Sequence, residues 1–95
     1  MKMIPFTNKV VVPDTVLFRE LEGGAVLLNL KTESYLSLDN VGTRMWNVLT
    51  TEPSIDEAVE RLLAEYDVAP EVLRRDVEAL LGQMLEHGLV ELKGG

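Results

Sequence analysis

The sequence contains no cysteine, a single histidine and no long apolar run. Without cysteine the chain forms no disulfide, no thiolate metal site and no cysteine nucleophile, which agrees with a reducing cytoplasm. No segment of the sequence approaches the roughly 18 consecutive apolar residues that a membrane helix needs. The N-terminus also lacks the apolar region of a secretory signal. These absences indicate a small cytoplasmic protein.

The residues that most often carry catalysis or bind metals are scarce, and each has a simpler role. His87 is predicted in the last turn of a helix, where the helix dipole favours a cationic imidazole, so a capping or surface role fits better than catalysis. The acidic residues of Asp56–Glu60 are typical of the first turns of a helix rather than of a metal site. Gly23 and Gly24 form a turn signal without the lysine of a phosphate-binding loop. We therefore expect no enzyme activity, no cofactor and no metal.

The charge of the chain is strongly negative, with 16 acidic and 9 basic residues and a net charge of −7. Nucleic-acid binding depends on Lys and Arg that neutralise phosphates, so the balance argues against DNA, RNA and anionic membranes as partners. Residues 54–95 hold ten acidic and four basic side chains. This half would attract a basic peptide, although acidic helix faces also serve simply to keep a small domain soluble.

Alternation of apolar and polar residues predicts an antiparallel meander in the first half. Its strands are Val16–Leu21, Ala25–Leu30 and Ser34–Leu38, separated by a glycine turn and a short polar break. Val10–Val12 is predicted as a short edge strand, ended by a proline that cannot donate a ladder hydrogen bond. Residues 1–9 carry no clear period and are predicted as a loose arm.

After Leu38 the apolar period changes to that of helices. Asp39 is a plausible N-cap, Ser54 and Glu57 have capping-box spacing, Pro70 suits a first turn, and Gly88 suits a helix end. The apolar stripes of the three predicted helices are, in order, Val41, Met45, Val48 and Leu49 with Trp46 at the edge; Ile55, Ala58, Val59, Leu62, Leu63 and Tyr66; and Leu73, Val77, Leu80, Leu81, Met84 and Leu85.

These elements predict one α+β domain over residues 1–95. We expect a winged helix-turn-helix-like arrangement, in which a three-stranded antiparallel sheet is followed by a three-helix bundle. Residues 89–92 are predicted as a short terminal strand, and residues 93–95 as a frayed end.

Two features remain that could bind a partner. The third strand is an edge of the meander, which an extended peptide can lengthen as a further strand unless a terminal segment already covers it. The third helix has a wide apolar stripe, which indicates either packing on two neighbours or one open margin beside that edge. The helix has too few basic residues for a DNA-recognition helix.

Several short motifs resemble one known family. The first runs from Leu36-Ser37-Leu38-Asp39 through Gly42 to Met45-Trp46-Asn47-Val48-Leu49, and is similar to the pattern L-N/D-x-x-G-x-x-I/M-W-x-L/V-L. Further matches are Ser54–Val59, Leu62-Leu63, Tyr66-Asp67-Val68, Asp76-Val77 and Leu85–Val90. Their order and spacing resemble the PqqD-like family, also called the RiPP precursor peptide recognition element, over residues 16–92.

The resemblance implies a winged-helix-like domain that binds the leader segment of a ribosomally made precursor peptide. The leader would add beside the third strand, lie against the third helix and be presented to a radical-SAM protein, a cyclase or a leader peptidase. Carried onto this sequence, the peptide-binding residues are Glu33, Ser34, Tyr35, Leu36, Ser37 and Leu38 on the strand, and Val72, Arg75, Asp76, Ala79 and Gln83 on the helix.

Other functions fit the same architecture. A structural or dimerisation partner without a peptide ligand is the main alternative, and a homodimer could form by pairing of open edges. A winged-helix regulator that binds nucleic acid fits less well, because the net charge opposes it.

Overall fold

The order of elements follows the predicted change from strands to helices. The computed structural model describes residues 4–94, and within them the chain forms five strands and three helices. They are β1 (Lys9–Val11), β2 (Val16–Leu21), β3 (Gly24–Asn29), β4 (Tyr35–Asp39), α1 (Asn40–Thr51), α2 (Ile55–Glu65), α3 (Pro70–Glu86) and β5 (Glu91–Lys93). The predicted fold class, an antiparallel meander followed by three helices, is confirmed.

The strands form two separate pairings. β2, β3 and β4 make one antiparallel sheet in that order, with β3 in the middle. β1 pairs with β5 instead, so that Val10 lies opposite Leu92. Within residues 4–94, β4 therefore pairs with β3 alone, and the predicted N-terminal strand leaves its other edge uncovered.

The core lies between one face of this sheet and the helices. Trp46 was expected at the edge of the α1 stripe, yet it is only 4% exposed because its ring stacks on Phe18 of β2 at 5.7 Å between centroids. Val41 shows the reverse, being 44% exposed in the first turn of α1. The side chains that complete the helical part of the core are Met45, Val48, Leu49, Ile55, Ala58, Val59, Leu62, Leu73, Val77, Leu81 and Met84.

The predicted helix ends are confirmed. Asp39 Oδ1 accepts the Gly42 N–H at 2.7 Å, and Ser54 Oγ accepts the Glu57 N–H at 3.2 Å. Gly88 has a φ of 68°, the left-handed conformation that ends α3. These caps satisfy backbone groups that a helix end cannot pair within itself.

The N-terminal segment is attached to the helices, in contrast to the loose arm predicted over residues 1–9. The carbonyls of Phe6 and Asn8 accept the N–H groups of Asp56 and Ile55 at 2.8 and 2.9 Å, which satisfies the first turn of α2. The Arg74 guanidinium lies 4.5 Å from the centroid of the Phe6 ring. Residues 1–3 of the predicted arm lie outside the described residues.

The C-terminus departs from its prediction in a similar way. Lys93 closes β5 opposite Lys9 rather than belonging to a frayed end, and Gly95 lies outside the described residues. Leu89 and Val90, predicted to begin the terminal strand, are buried in the core just before it. Across the described residues 4–94, none of the helices combines the length and apolar character needed to cross a membrane.

A bidentate ion pair joins α1 to α2. Arg44 Nε donates to Glu65 Oε1 at 2.8 Å, and its Nη2 donates to the second carboxylate oxygen. These hydrogen bonds hold the pKa of Glu65 below its ordinary value and raise the pKa of Arg44. The pair lies between two helices of the bundle, so we assign it to their docking rather than to a binding site.

Candidate functional site

The hairpin before β4 determines which backbone groups of that strand are available. The Asn29 N–H donates to the Ser34 carbonyl at 2.8 Å, and the Glu33 N–H donates back to the Asn29 carbonyl at 2.7 Å. Glu33 has a φ of 63°, so the chain reverses through a left-handed residue. Asn29 and Ser34 are thus the first hydrogen-bonded pair of the β3–β4 ladder.

Hydrogen-bonded and non-bonded pairs alternate along an antiparallel ladder. Counting from Asn29 and Ser34, Leu36 and Leu38 direct their N–H and C=O groups toward β3. Tyr35 and Ser37 direct theirs away from β3, toward the side of β4 that is uncovered within residues 4–94. We call this side, with the backbone groups of Tyr35 and Ser37, the free edge.

The side chains at the free edge differ between the two faces of the sheet. Leu36 is half-buried and packs on the core, and Leu38 is buried. Tyr35 and Ser37 are exposed on the opposite face, where Tyr35 retains 65% of its accessible surface. A strand added here would place alternate side chains beside an apolar margin and beside an open face.

The third strand was predicted over Ser34–Leu38, and β4 lies one residue further along the chain. The strand runs from Tyr35 to Asp39, whereas Glu33 and Ser34 lie in the connection that precedes it. Tyr35, Leu36, Ser37 and Leu38 lie in β4 as predicted. The left-handed conformation of Glu33 explains the shift, because a residue with positive φ cannot continue a strand.

The predicted residues of α3 are exposed but do not all line one cavity. Arg75 and Ala79 line a groove of about 550 Å³ whose wall includes Ile4 of the N-terminal segment. The other lining residues are Glu78, Gly82, Leu85 and Glu86. Val72, Asp76 and Gln83 are outside this lining and lie along a neighbouring stripe of the helix. No pattern in the sequence indicated Ile4, because its position depends on contacts with helices that lie far along the chain.

One buried side chain connects the hairpin to the end of α3. Asn29 is 5% exposed; its Nδ2 donates to the Gly88 carbonyl at 2.9 Å, and its Oδ1 accepts the Lys31 N–H at 2.9 Å. The same residue begins the β3–β4 ladder. Asn29 thus fixes the position of β4 relative to the third helix, and the pattern of the sequence did not identify it.

Replacing Asn29 with alanine is expected to reduce the free energy of unfolding by about 1–3 kcal/mol, because buried polar groups of the backbone lose their partners. Urea unfolding followed by circular dichroism measures the loss. Asn40→Ala, in the exposed first turn of α1, is the matched control and should change stability little. Equal stability of the two variants would contradict the role given to Asn29.

The chemistry available at the site is that of recognition. The free edge offers backbone donors and acceptors, Leu36 offers an apolar margin, and α3 offers a mixed polar and apolar surface. Among residues 4–94, no group of three or more His, Asp or Glu side chains is arranged to hold a metal ion.

Comparison with known proteins points to one family. The model of the family described as coenzyme PQQ synthesis protein D matches residues 24–90. The matched segment contains β3, β4 and all three helices found in the described residues, and therefore contains the free edge and α3. No match was found among curated proteins.

Two solved structures share the fold. One is TbiB1 in complex with the TbiA(β) leader peptide, which is 32% identical to this chain with a TM-score of 0.77, covering 85% of this chain and 94% of TbiB1. The other is lasso peptide synthetase B1 complexed with the leader peptide, which is 22% identical with a TM-score of 0.77, covering 87% of this chain and 98% of that chain. Both similarities extend over nearly the whole of the compared chains.

Proposed function

The chain belongs to the PqqD family, and from this premise we propose that it binds the leader segment of a ribosomally synthesised precursor peptide. Binding occurs by addition of the leader to β4 as a further strand, and the bound peptide is then presented to a modifying enzyme. The free edge is the observation that carries this proposal. TbiB1, which is similar to this chain over most of the length of both, is found in complex with a leader peptide.

The backbone supplies the direction and register of the bound peptide. The N–H and C=O groups of Tyr35 and Ser37 are aimed outward at the spacing of an antiparallel ladder. Each hydrogen bond in water contributes a net of about 0.5–1.5 kcal/mol. Four such bonds amount to about 2–6 kcal/mol at most, whereas micromolar binding requires about 8 kcal/mol. Side-chain anchors must therefore contribute as well.

We assign those anchors to the margins beside the strand. Leu36 is half-buried and can accept an apolar side chain of the leader on the inner side. On α3, the exposed positions Val72, Asp76 and Gln83 form one stripe, with Arg75 and Ala79 next to it. Such a surface selects a leader that alternates apolar and polar residues. The net charge of −7 speeds the approach of a basic leader more than it tightens the complex.

The experiment that tests the proposal is a fluorescence-anisotropy titration. The probe is a labelled leader peptide of the precursor encoded beside the gene for this chain, and a scrambled peptide of the same composition is the control. We expect saturable one-to-one binding of the leader and at least about tenfold weaker binding of the scrambled peptide, because register and anchors depend on order. Equal binding of both peptides, or no binding by folded protein, would contradict the proposal.

A further inference from the structure

The two elements that the leader would contact, β4 and α3, are joined by a single side-chain hydrogen bond. Across residues 4–94, the bond from Asn29 Nδ2 to the Gly88 carbonyl is the one hydrogen bond or ion pair between β2–β4 and α3 with the turn that ends it. The other contact between them is apolar packing in the shared core. Apolar burial is non-directional, so this bond is the contact that fixes a distance between the sheet and the helix.

At the sheet, the bond starts from a residue that is held on every side. The N–H and C=O of Asn29 pair with Ser34 and Glu33 in the hairpin, and its Oδ1 accepts the Lys31 N–H at 2.9 Å. The side chain is buried. Ser34 is followed directly by Tyr35, where the free edge begins. The Asn29 amide therefore has a fixed position at one end of the free edge.

At the helix, the acceptor belongs to a well-defined turn. The Gly88 N–H donates to the Leu85 carbonyl at 3.1 Å and the Leu89 N–H to the Met84 carbonyl at 2.8 Å, which are the two bonds of a Schellman motif. Leu89 is buried in the core. A Cβ at Gly88 would lie 3.0 Å from Asn29 Nδ2, closer than ordinary van der Waals contact, so glycine also makes room for the amide. The Gly88 carbonyl thus has a fixed position relative to α3.

We propose that Asn29 is a positioning residue for leader recognition, whose bond to Gly88 holds β4 and α3 at the separation that the bound leader requires. The inference rests on the proposed function, because it needs a peptide that contacts both elements. Asn29 does not touch the leader in this account. Its backbone bonds are used in the hairpin and its side-chain amide is directed at the end of α3, so it acts through the relative position of the two elements.

The size of the effect follows from the population of the binding arrangement. Without the bond, apolar packing alone sets the separation of β4 and α3, and several separations become populated. A chain that holds the competent arrangement for about one tenth of the time binds about tenfold more weakly. The bond therefore raises leader affinity by preorganising a surface that would otherwise have to be ordered on binding.

The variant that isolates this bond is Asn29→Ser. A serine hydroxyl can still accept the Lys31 N–H, as serine does in turns of this kind, but it is too short to reach the Gly88 carbonyl. We expect the labelled leader to bind the full-length variant at least about tenfold more weakly in the anisotropy titration. Ala58→Gly, in the buried interior of α2, is the control. It lowers stability because glycine is a poor helix former, but it should keep leader affinity within about threefold.

A double-mutant cycle with Val72 tests whether Asn29 acts through α3. Val72 is exposed in the first turn of the helix, at the end opposite Gly88. Val72→Ser should weaken leader binding at least about fivefold in the unsubstituted chain but less than about twofold in Asn29→Ser, because a displaced helix no longer meets the peptide. If Asn29 served stability alone, the effects of the two substitutions on leader affinity would be independent and additive.

A measurement on the unsubstituted chain needs no variant to fold. Coupling between two events is reciprocal, so a bond that favours the leader must itself be favoured by the leader. The side-chain amide protons of Asn29, followed by NMR, should exchange with solvent at least about tenfold more slowly when the leader is saturating. A side chain that only stabilises the hairpin would not respond in this way.

Weaker leader binding by folded Asn29→Ser, non-additivity with Val72→Ser and slower exchange of the Asn29 amide support the inference. Leader affinity of folded Asn29→Ser within threefold of that of the unsubstituted chain overturns it. So do additive effects, a Val72→Ser substitution without effect in the unsubstituted chain, or amide exchange that the leader leaves unchanged. Failure of the unsubstituted chain to bind any leader would instead contradict the proposed function on which the inference rests.

Discussion

Ser37→Pro is expected to weaken leader binding strongly while leaving the fold intact. The N–H of Ser37 points to the free edge, so proline removes a donor that the added strand needs but none that pairs with β3. The ring also occupies the space where the peptide backbone would lie. We expect affinity to fall at least about thirtyfold, which corresponds to about 2 kcal/mol. Anisotropy titration with the labelled leader measures the change.

The matched control uses the opposite edge of the same sheet. The Leu30 N–H donates to the Thr15 carbonyl at 2.8 Å, and the alternation from that pair directs the Glu20 N–H away from β3. Glu20→Pro therefore places an equivalent proline on the edge of β2 and should keep leader affinity. Thermal unfolding of both variants verifies the fold. Leader binding that survives in folded Ser37→Pro, or that is lost equally in Glu20→Pro, would exclude specific strand addition to β4.

Gly24→Ala is expected to give the largest loss of stability among these substitutions. A Cβ at Gly24 would overlap the carbonyl oxygen of Leu38 in the neighbouring strand, and its neighbours there are backbone atoms with little freedom to move. The cost should reach or exceed the upper end of the about 1–3 kcal/mol typical of overpacking. Because β4 is displaced, leader affinity should fall as well. Urea unfolding and leader titration measure the two effects.

Gly82→Ala is the control, and it is expected to change the stability in the opposite direction. Gly82 lies in the interior of α3, is exposed, and has no atom within 4 Å of the place a Cβ would take apart from its own stretch of helix backbone and its two chain neighbours. Alanine there should stabilise the helix by about 0.5–1 kcal/mol, since glycine is a poor helix former. If both variants lost stability equally, the effect of Gly24→Ala would be that of losing a glycine rather than of crowding β4.

Local signals in the sequence predicted the elements well. The alternation of Phe18 with Leu17 placed these side chains on opposite faces of β2, and Asp39 marked the start of α1. Such features depend on neighbours within a few residues, where propensity and capping act directly. The two leucines of β4 were likewise assigned to one face.

Features that depend on contacts between residues far apart in the chain could not be predicted from the sequence pattern. Within residues 4–94, the second edge of β4 stays open because β1 pairs with β5 instead. That pairing places Val10 opposite Leu92, a residue near the other end of the chain. The direction of each backbone group in β4 depends on the hairpin geometry at Glu33, which leaves no trace in apolar periodicity. Asn29 acts through a contact with Gly88, and a polar residue at the end of a strand predicts no such partner.

Amide hydrogen exchange along β4, with and without saturating leader peptide, tests the central claim most directly. In the unbound protein Leu36 and Leu38 should be protected by their bonds to β3, while Tyr35 and Ser37 exchange fast. The account predicts that the leader slows exchange at Tyr35 and Ser37 and leaves Glu20, on the other edge of the sheet, unchanged. Bound leader that leaves Tyr35 and Ser37 unprotected would contradict strand addition at the free edge.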